Sequence, residues 1–356
     1  MSELRKYERL QLIRGGLLRG LVGLVGFGLL LVGTGCISID LLSGGGSEVP
    51  LVESVIRGNT GPKILLVDID GVIGVSKGVG SLFGGDEYSM VARVREVLDR
   101  ARDDEEVRAL LLRIDSPGGT ATASEQIYTE IMRFREERDI PVMAQFLATA
   151  ASGGYYIAMA ADTIQAHPTT ITGSIGVIFS SLSFAGLMEK IGIEDQTITG
   201  GVHKDAGSPF RRLSDVERDQ LQTIVDDLHA RFREIVGRGR PKLSAEEIEI
   251  LADGQIFSAR QAVANGLIDR IGTLEDAVVA LERRLSVEES RVVSYHRPRE
   301  LRRNLYTKTA QVPSLGAGRH VLSAEAWALA RLEKILARPG FHYLWWPGLS
   351  GTPLSH

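Results

Sequence analysis

Along the first half of the chain, short apolar runs alternate with stretches in which apolar residues return every three to four positions. The runs cover residues 63–69 (KILLVDI), 107–114 (VRALLLRI), 142–147 (VMAQFL) and 163–166 (TIQA). Runs of this length, bounded by turn residues, predict strands buried on both faces. Between them, Met90, Val91, Val94, Val97 and Leu98 fall at helical spacing within residues 86–102. Residues 120–138 predict an amphipathic helix, and a short helix follows over 152–160. Strands alternating with helices predict an α/β fold with a mostly parallel sheet covered by helices.

The second half is more helical. Residues 194–199 predict one further strand. Residues 215–237 predict a long helix that turns Val216, Leu221, Ile224, Val225, Leu228 and Phe232 inward. Shorter helices are expected over 244–252, 258–264 and 273–285. Thr273 caps the last of these, with Glu275 and Asp276 in its first turn. From Arg291 the character changes. Arg297, Arg299, Arg302 and Arg303 form a basic cluster that reads as a solvated face. A linker (313–318), a helix (323–337) and an aromatic tail (341–347, FHYLWWP) follow. Such a tail suits a neighbouring subunit or a membrane interface, where Trp and Tyr are enriched.

The N-terminus reads differently from the rest. Residues 1–19 carry five basic side chains, Arg5, Lys6, Arg9, Arg14 and Arg19, against two acidic ones, Glu3 and Glu8. Residues 20–39 then run without a charge, a length that matches the ~20 residues a helix needs to cross a bilayer. The basic flank predicts a cytoplasmic N-terminus and an exported remainder. Three forms of attachment fit: an uncleaved anchor helix, a cleaved signal peptide, and a lipoprotein signal ending at Cys36. Small residues precede Cys36, although Gly33 stands where a lipobox favours leucine. The resulting division is a membrane or signal segment (1–42), a Gly/Ser/Pro-rich linker (43–62), a folded domain (63–295) and a C-terminal extension (296–356).

Composition narrows the class. The 356 residues are 44% hydrophobic and 24% charged, with a formal net charge of -4. These values fit a folded globular chain, and no basic stripe points to nucleic acid. The single cysteine, Cys36, excludes an intrachain disulfide and a cysteine-built zinc site. No histidine–carboxylate spacing suggests a metal, and no cofactor is expected.

Two segments carry candidate chemistry. Ala150-Ala151-Ser152-Gly153-Gly154 places a serine where a strand gives way to a helix, among small residues that let a substrate backbone approach. Unpaired N–H groups at that junction favour an alkoxide-like state. The same position also suits an ordinary N-cap serine. Lys204 lies in a turn-rich stretch, Gly200-Gly201-Val202-His203-Lys204-Asp205-Ala206-Gly207-Ser208-Pro209. A neutral, desolvated lysine can take a serine's proton, whereas a solvated surface lysine cannot. Asp115-Ser116-Pro117-Gly118-Gly119 ends a buried strand, and its glycine N–H groups suit either an oxyanion hole or a plain tight turn. Ser174, in Thr172-Gly173-Ser174-Ile175-Gly176-Val177, is a rival nucleophile that reads better as a groove residue, as does Gly153. A triad with His203 as base, oriented by Asp205 or Asp162, also fits, but the Gly-x-Ser-x-Gly elbow is missing.

Taken in order, these blocks resemble the signal peptide peptidase SppA family, the short single-repeat type of serine peptidase family S49. The resemblance covers about residues 63–285 and includes Ala252-Asp253-Gly254-Gln255-Ile256-Phe257 and Asn265-Gly266-Leu267-Ile268-Asp269. It implies a ClpP/crotonase-like fold of ββα units around a mostly parallel sheet. It implies Ser152 as nucleophile, Lys204 as general base and oxyanion donors at Gly118 and Gly119. It further implies a ring-shaped homo-oligomer at the bacterial inner membrane, with the catalytic domain on the extracytoplasmic side. Its substrates would be cleaved signal peptides and similar apolar peptides. Two other functions share the expected fold: a crotonase-type acyl-CoA hydratase or isomerase, and a non-catalytic membrane scaffold.

Overall fold

The computed structural model describes residues 50–74, 89–298, 300–301, 304–307, 310–311 and 341–345. The apolar span 20–39, Cys36, the linker 313–318, the helix 323–337 and Arg299, Arg302 and Arg303 lie outside the described residues.

The chain enters through β1 (Val52–Arg57) and β2 (Lys63–Asp70). Then come α1 (Met90–Arg102), β3 (Val107–Ser116), β4 (Gly118–Thr120) and α2 (Ala121–Arg138). They are followed by β5 (Val142–Ala151), α3 (Gly153–Ala158), β6 (Thr163–Ala166), β7 (Ile171–Gly173) and β8 (Ile178–Phe179). The helical half holds α4 (Ala185–Ile191), α5 (Asp215–Gly239), α6 (Ala245–Leu251), β9 (Ile256–Ser258), α7 (Ala259–Ala264), β10 (Arg270–Ile271) and α8 (Leu274–Leu285). The chain closes with β11 (Arg291–His296), β12 (Glu300–Leu301), β13 (Ala310–Gln311) and β14 (Phe341–Leu344).

The main sheet runs β1-β11-β2-β3-β5-β6-β10, with β7 and β9 added beside the end of β5. Its pairings are parallel except β1 with β11 and β7 with β9. Strands β2 and β3 read as continuous apolar runs because both faces of the sheet are covered. Leu65, Val67 and Ile69 face one core with Val94 and Leu98 of α1 and Ile127, Ile131 and Phe134 of α2. Ile64 and Leu66 face the other, against Leu274, Val278 and Leu281 of α8. Under the second face, Arg113 Nε donates to Asp68 Oδ1 at 2.7 Å and its guanidinium also binds the Leu305 and Thr307 carbonyls. That buried pair ties the segment 304–307 to the middle of the sheet.

The structure corrects three expectations. Residues 52–57, placed in the linker, form β1, because β11 offers a free edge on which they pair antiparallel. Residues 194–199 form no strand and stay exposed, since no sheet edge meets them. In α5 the inward stripe holds only toward its end. Phe232, Ile235 and Val236 are buried, whereas Val216 and Ile224 face solvent.

Strand β5 is the element that positions the site. Its first half pairs with β6 and its second half with β7. The sheet forks there, and the β5–α3 junction lies at the fork.

Candidate active site

Ser152 occupies that junction. Its backbone sits at φ 52°, ψ -115°, a region that residues other than glycine rarely adopt. Ser152 N donates to Gly173 O at 2.8 Å, and Tyr156 N donates to Ser152 O at 2.8 Å, so both strand and helix hold the turn. The side chain does not cap α3. Its Oγ is buried and has no hydrogen-bond partner. A capping role is therefore excluded, and what remains is a strained residue holding an unsatisfied hydroxyl. Strain and unmade hydrogen bonds of this kind gather at functional sites.

The Ser-Pro-Gly-Gly turn folds back against it. Gly118 N donates to Ser116 Oγ at 3.1 Å and is thereby occupied. Ile73 N donates to Gly118 O at 2.8 Å, and Thr120 N donates to Ile73 O at 2.9 Å. Alternation along the strand then turns the N–H of Gly119 to the opposite side, toward its partner Tyr343. A methyl group on Gly153 would stand 3.2 Å from Gly119 N and 2.4 Å from Ser124 Oγ. Gly119 and Gly153 thus bring two backbone donors beside the serine. The sequence reading gave Gly153 to the groove and missed its N–H. The residue following a nucleophile is the signal that would have found it.

Ser174 follows β7, at φ 51° and largely buried. The pairing of Ala151 with Gly173 sets it next to Ser152, although 22 positions separate them in sequence. Lys204 is not brought in. It lies exposed in the turns of residues 201–207, and no hydrogen bond joins it to the unpartnered Ser152 Oγ. The histidine alternative fares no better. Asp205 is bound by Arg211, Asp162 pairs with Arg135, and the carboxylate near His203 is that of Glu217, at 3.9 Å. Among the described residues no group of His, Cys, Asp or Glu is arranged to hold a metal.

Arg211 links the Lys204 loop to the start of α5. Arg211 Nε and Nη2 donate to Asp205 at 2.6 and 2.8 Å, and Nη1 donates to Glu217 Oε2 at 2.8 Å. Arg211 holds the Glu217 carboxyl well below the usual carboxylate range, helped by the Ser214 backbone and hydroxyl. A depressed carboxylate stabilises the fold above its unfolded pKa, near 4.3, and that contribution is lost as pH falls through the folded value. Arg211→Gln should therefore lower the melting temperature most at pH 5 and above. The gap to wild type should narrow below about pH 4. A gap independent of pH in thermal scans would overturn this contribution.

The comparisons with known proteins agree with the class this site suggests. Residues 135–288 match peptidase family S49. A protein of Enterococcus faecium provisionally named as a signal peptide peptidase SppA is 37% identical over 250 residues, covering 70% of this chain and 72% of the relative. A Synechocystis protein provisionally named as a protease is 40% identical over 198 residues, covering 56% of this chain and 69% of the relative. The chloroplastic serine protease SPPA of Arabidopsis thaliana is 33% identical over 206 residues, covering 58% of this chain and 29% of the relative. The chain is a serine-type peptidase. It belongs to peptidase family S49, in the signal peptide peptidase SppA family.

Proposed function

We propose that this protein is a membrane-attached endopeptidase that uses Ser152 as nucleophile and Lys204 as base on cleaved signal peptides and other apolar peptides. The observation that carries the reading is the buried, strained Ser152, whose Oγ satisfies no structural need. In the reaction, Ser152 Oγ attacks the peptide carbonyl while Lys204 takes its proton. The N–H groups of Gly119 and Gly153 hold the oxyanion. Lys204 returns the proton to the leaving amine, and water hydrolyses the acyl-enzyme.

A lysine acts as a base only when desolvated. In the single chain the Lys204 segment is open, and it displays Leu182, Phe184, Leu187, Ile198, Val202 and Phe210 to solvent. Apolar side chains in that number mark an interaction surface. A homo-oligomer covering this surface would shelter the amine beside a serine, which fits the expected ring. Attachment through residues 20–39, with this domain outside the cytoplasm, places the site near released signal peptides.

Lys204→Ala tests the assignment. Turnover of an apolar fluorogenic peptide by the full chain should fall by about 10²–10⁴-fold, the usual contribution of a general base. The melting temperature of the protomer should hardly change, since the side chain is exposed. Near-normal turnover would give the proton to another group.

A further inference from the structure

A lysine must be uncharged to take a proton, and a carboxylate beside it favours the charged form. Lys204 has two carboxylates to contend with. Asp205 follows it directly in the chain. Glu217, at the start of α5, reaches the same loop, with Oε1 3.9 Å from His203 Nδ1. Both are ionised at any pH where a lysine loses its proton. Sheltering the loop would strengthen their pull, because charges interact more strongly away from water.

Arg211 takes up both charges. Asp205 places its two oxygens on Nε and Nη2. Glu217 places its two on Nη1 and Nη2. Arg211 thereby holds both carboxyl groups below the usual carboxylate range. The start of α5 adds a second offset. Ser214 N and Oγ donate to Glu217 Oε2 at 3.0 and 2.9 Å, and the helix presents its positive end there. Among the described residues no carboxylate forms an ion pair with Lys204. The remaining charges near the loop are few. Residues 178–184 carry none, and the loop rests on them through Gly207 against Phe179 and through Phe184 N, which donates to Pro209 O at 2.6 Å. Arg212 and Asp215 lie on the turn into α5, and α4 carries Glu189 and Lys190. A guanidinium suits the task, since its planar fork can bind two carboxylates at once and stays charged at every working pH.

We propose that Arg211 is a positioning residue for the base: it draws the carboxylates of Asp205 and Glu217 onto itself and offsets their charge, so that the Lys204 amine can stand neutral beside them. Lysine at position 211 would keep the charge and lose the fork. Glutamine would leave both carboxylates uncompensated next to the amine. This inference rests on Lys204 as the base of the proposed peptidase.

The test follows kcat/KM of the full chain on an apolar fluorogenic peptide from about pH 6 to about pH 10, at a temperature where every variant is folded. The rising limb reports the base of the free enzyme. Arg211→Gln should move that limb up by about one pH unit, which lowers kcat/KM about tenfold at neutral pH. Arg211→Lys should leave the limb where it is in wild type. The deciding variant is Arg211→Gln/Asp205→Asn/Glu217→Gln, which removes all three charges while glutamine at 217 still completes the capping box. It should bring the limb back. A loop that Arg211 merely holds in place would instead lose kcat/KM equally at every pH, and removing the acceptors would restore nothing. A limb unmoved in Arg211→Gln, or still displaced in the triple variant, overturns the proposal. A second measurement needs no turnover. Acetylation of Lys204 by dilute acetic anhydride, read by peptide mass spectrometry in Ser152→Ala, follows the neutral amine directly. Its midpoint should rise by about one pH unit when Arg211→Gln is added, and an unchanged midpoint overturns the proposal. Lys204→Ala separates the two claims. Turnover that survives it removes the base itself, whereas turnover lost there with a limb unmoved by Arg211→Gln removes only the part given to Arg211.

Discussion

Replacing Ser152 by alanine is expected to lower peptide hydrolysis by at least about 10⁴-fold and, at the same time, to raise the melting temperature. The first effect follows from losing the proposed nucleophile, after which only binding and oxyanion stabilisation remain. The second follows from the hydroxyl's surroundings. A buried polar group without a partner costs about 1–3 kcal/mol, and alanine removes it without opening a large cavity. Ser152→Gly should stabilise further, because a residue at φ 52° carries about 1–3 kcal/mol of backbone strain that glycine does not feel. Peptide hydrolysis and thermal unfolding of the same preparations measure both. Retained hydrolysis, or a lower melting temperature for both variants, would mean that the serine is structural.

Gly119→Ala should damage activity less than loss of the serine, but it should also weaken the fold. The new methyl group would stand 1.8 Å from Ile73 O and 2.6 Å from Ile73 N. These are backbone atoms in a bonded bridge and cannot swing aside. The turn must shift, which costs about 1–3 kcal/mol by overpacking. Any shift also carries away the Gly119 N–H, and losing one oxyanion donor lowers kcat by about 10²–10³-fold. Gly74→Ala is the control, since nothing lies within 4 Å of its added methyl. Kinetics at a temperature where Gly119→Ala remains folded separate the two effects. An unchanged kcat under those conditions would overturn the proposed role of Gly119 as an oxyanion donor.

The parallel sheet was legible because its strands are buried on both faces and so are written as unbroken apolar runs. Ser214, Ser244, Ser258 and Thr273 each begin a capping box, and of these only Thr273 was read as a cap from the sequence. Ser152 was legible as a candidate, but its standing against an N-cap rested on φ and on an unmade hydrogen bond, neither of which a sequence displays. Two features had no local signal. Strand β1 exists only because β11, more than 200 residues later, returns to lie beside it. The aromatic tail at 341–347 suited a lipid or subunit interface equally well. Only pairing across more than 200 positions, with Gly118 and Gly119, reveals that Phe341–Leu344 forms a strand. Lys204 was legible only as a candidate, and the structure leaves it exposed, with no hydrogen bond to Ser152 Oγ.

The burial pattern around the two proposed reacting groups has a thermal consequence. Every residue from 150 to 161 is buried, whereas none from 176 to 206 is. Segments rich in buried contacts open only with the whole domain, while sparsely packed ones open locally at small cost. The hydroxyl therefore rides on the last part of the molecule to melt and the amine on one of the first. Gentle warming would silence such an enzyme while its sheet is still intact, and cooling would restore it without refolding.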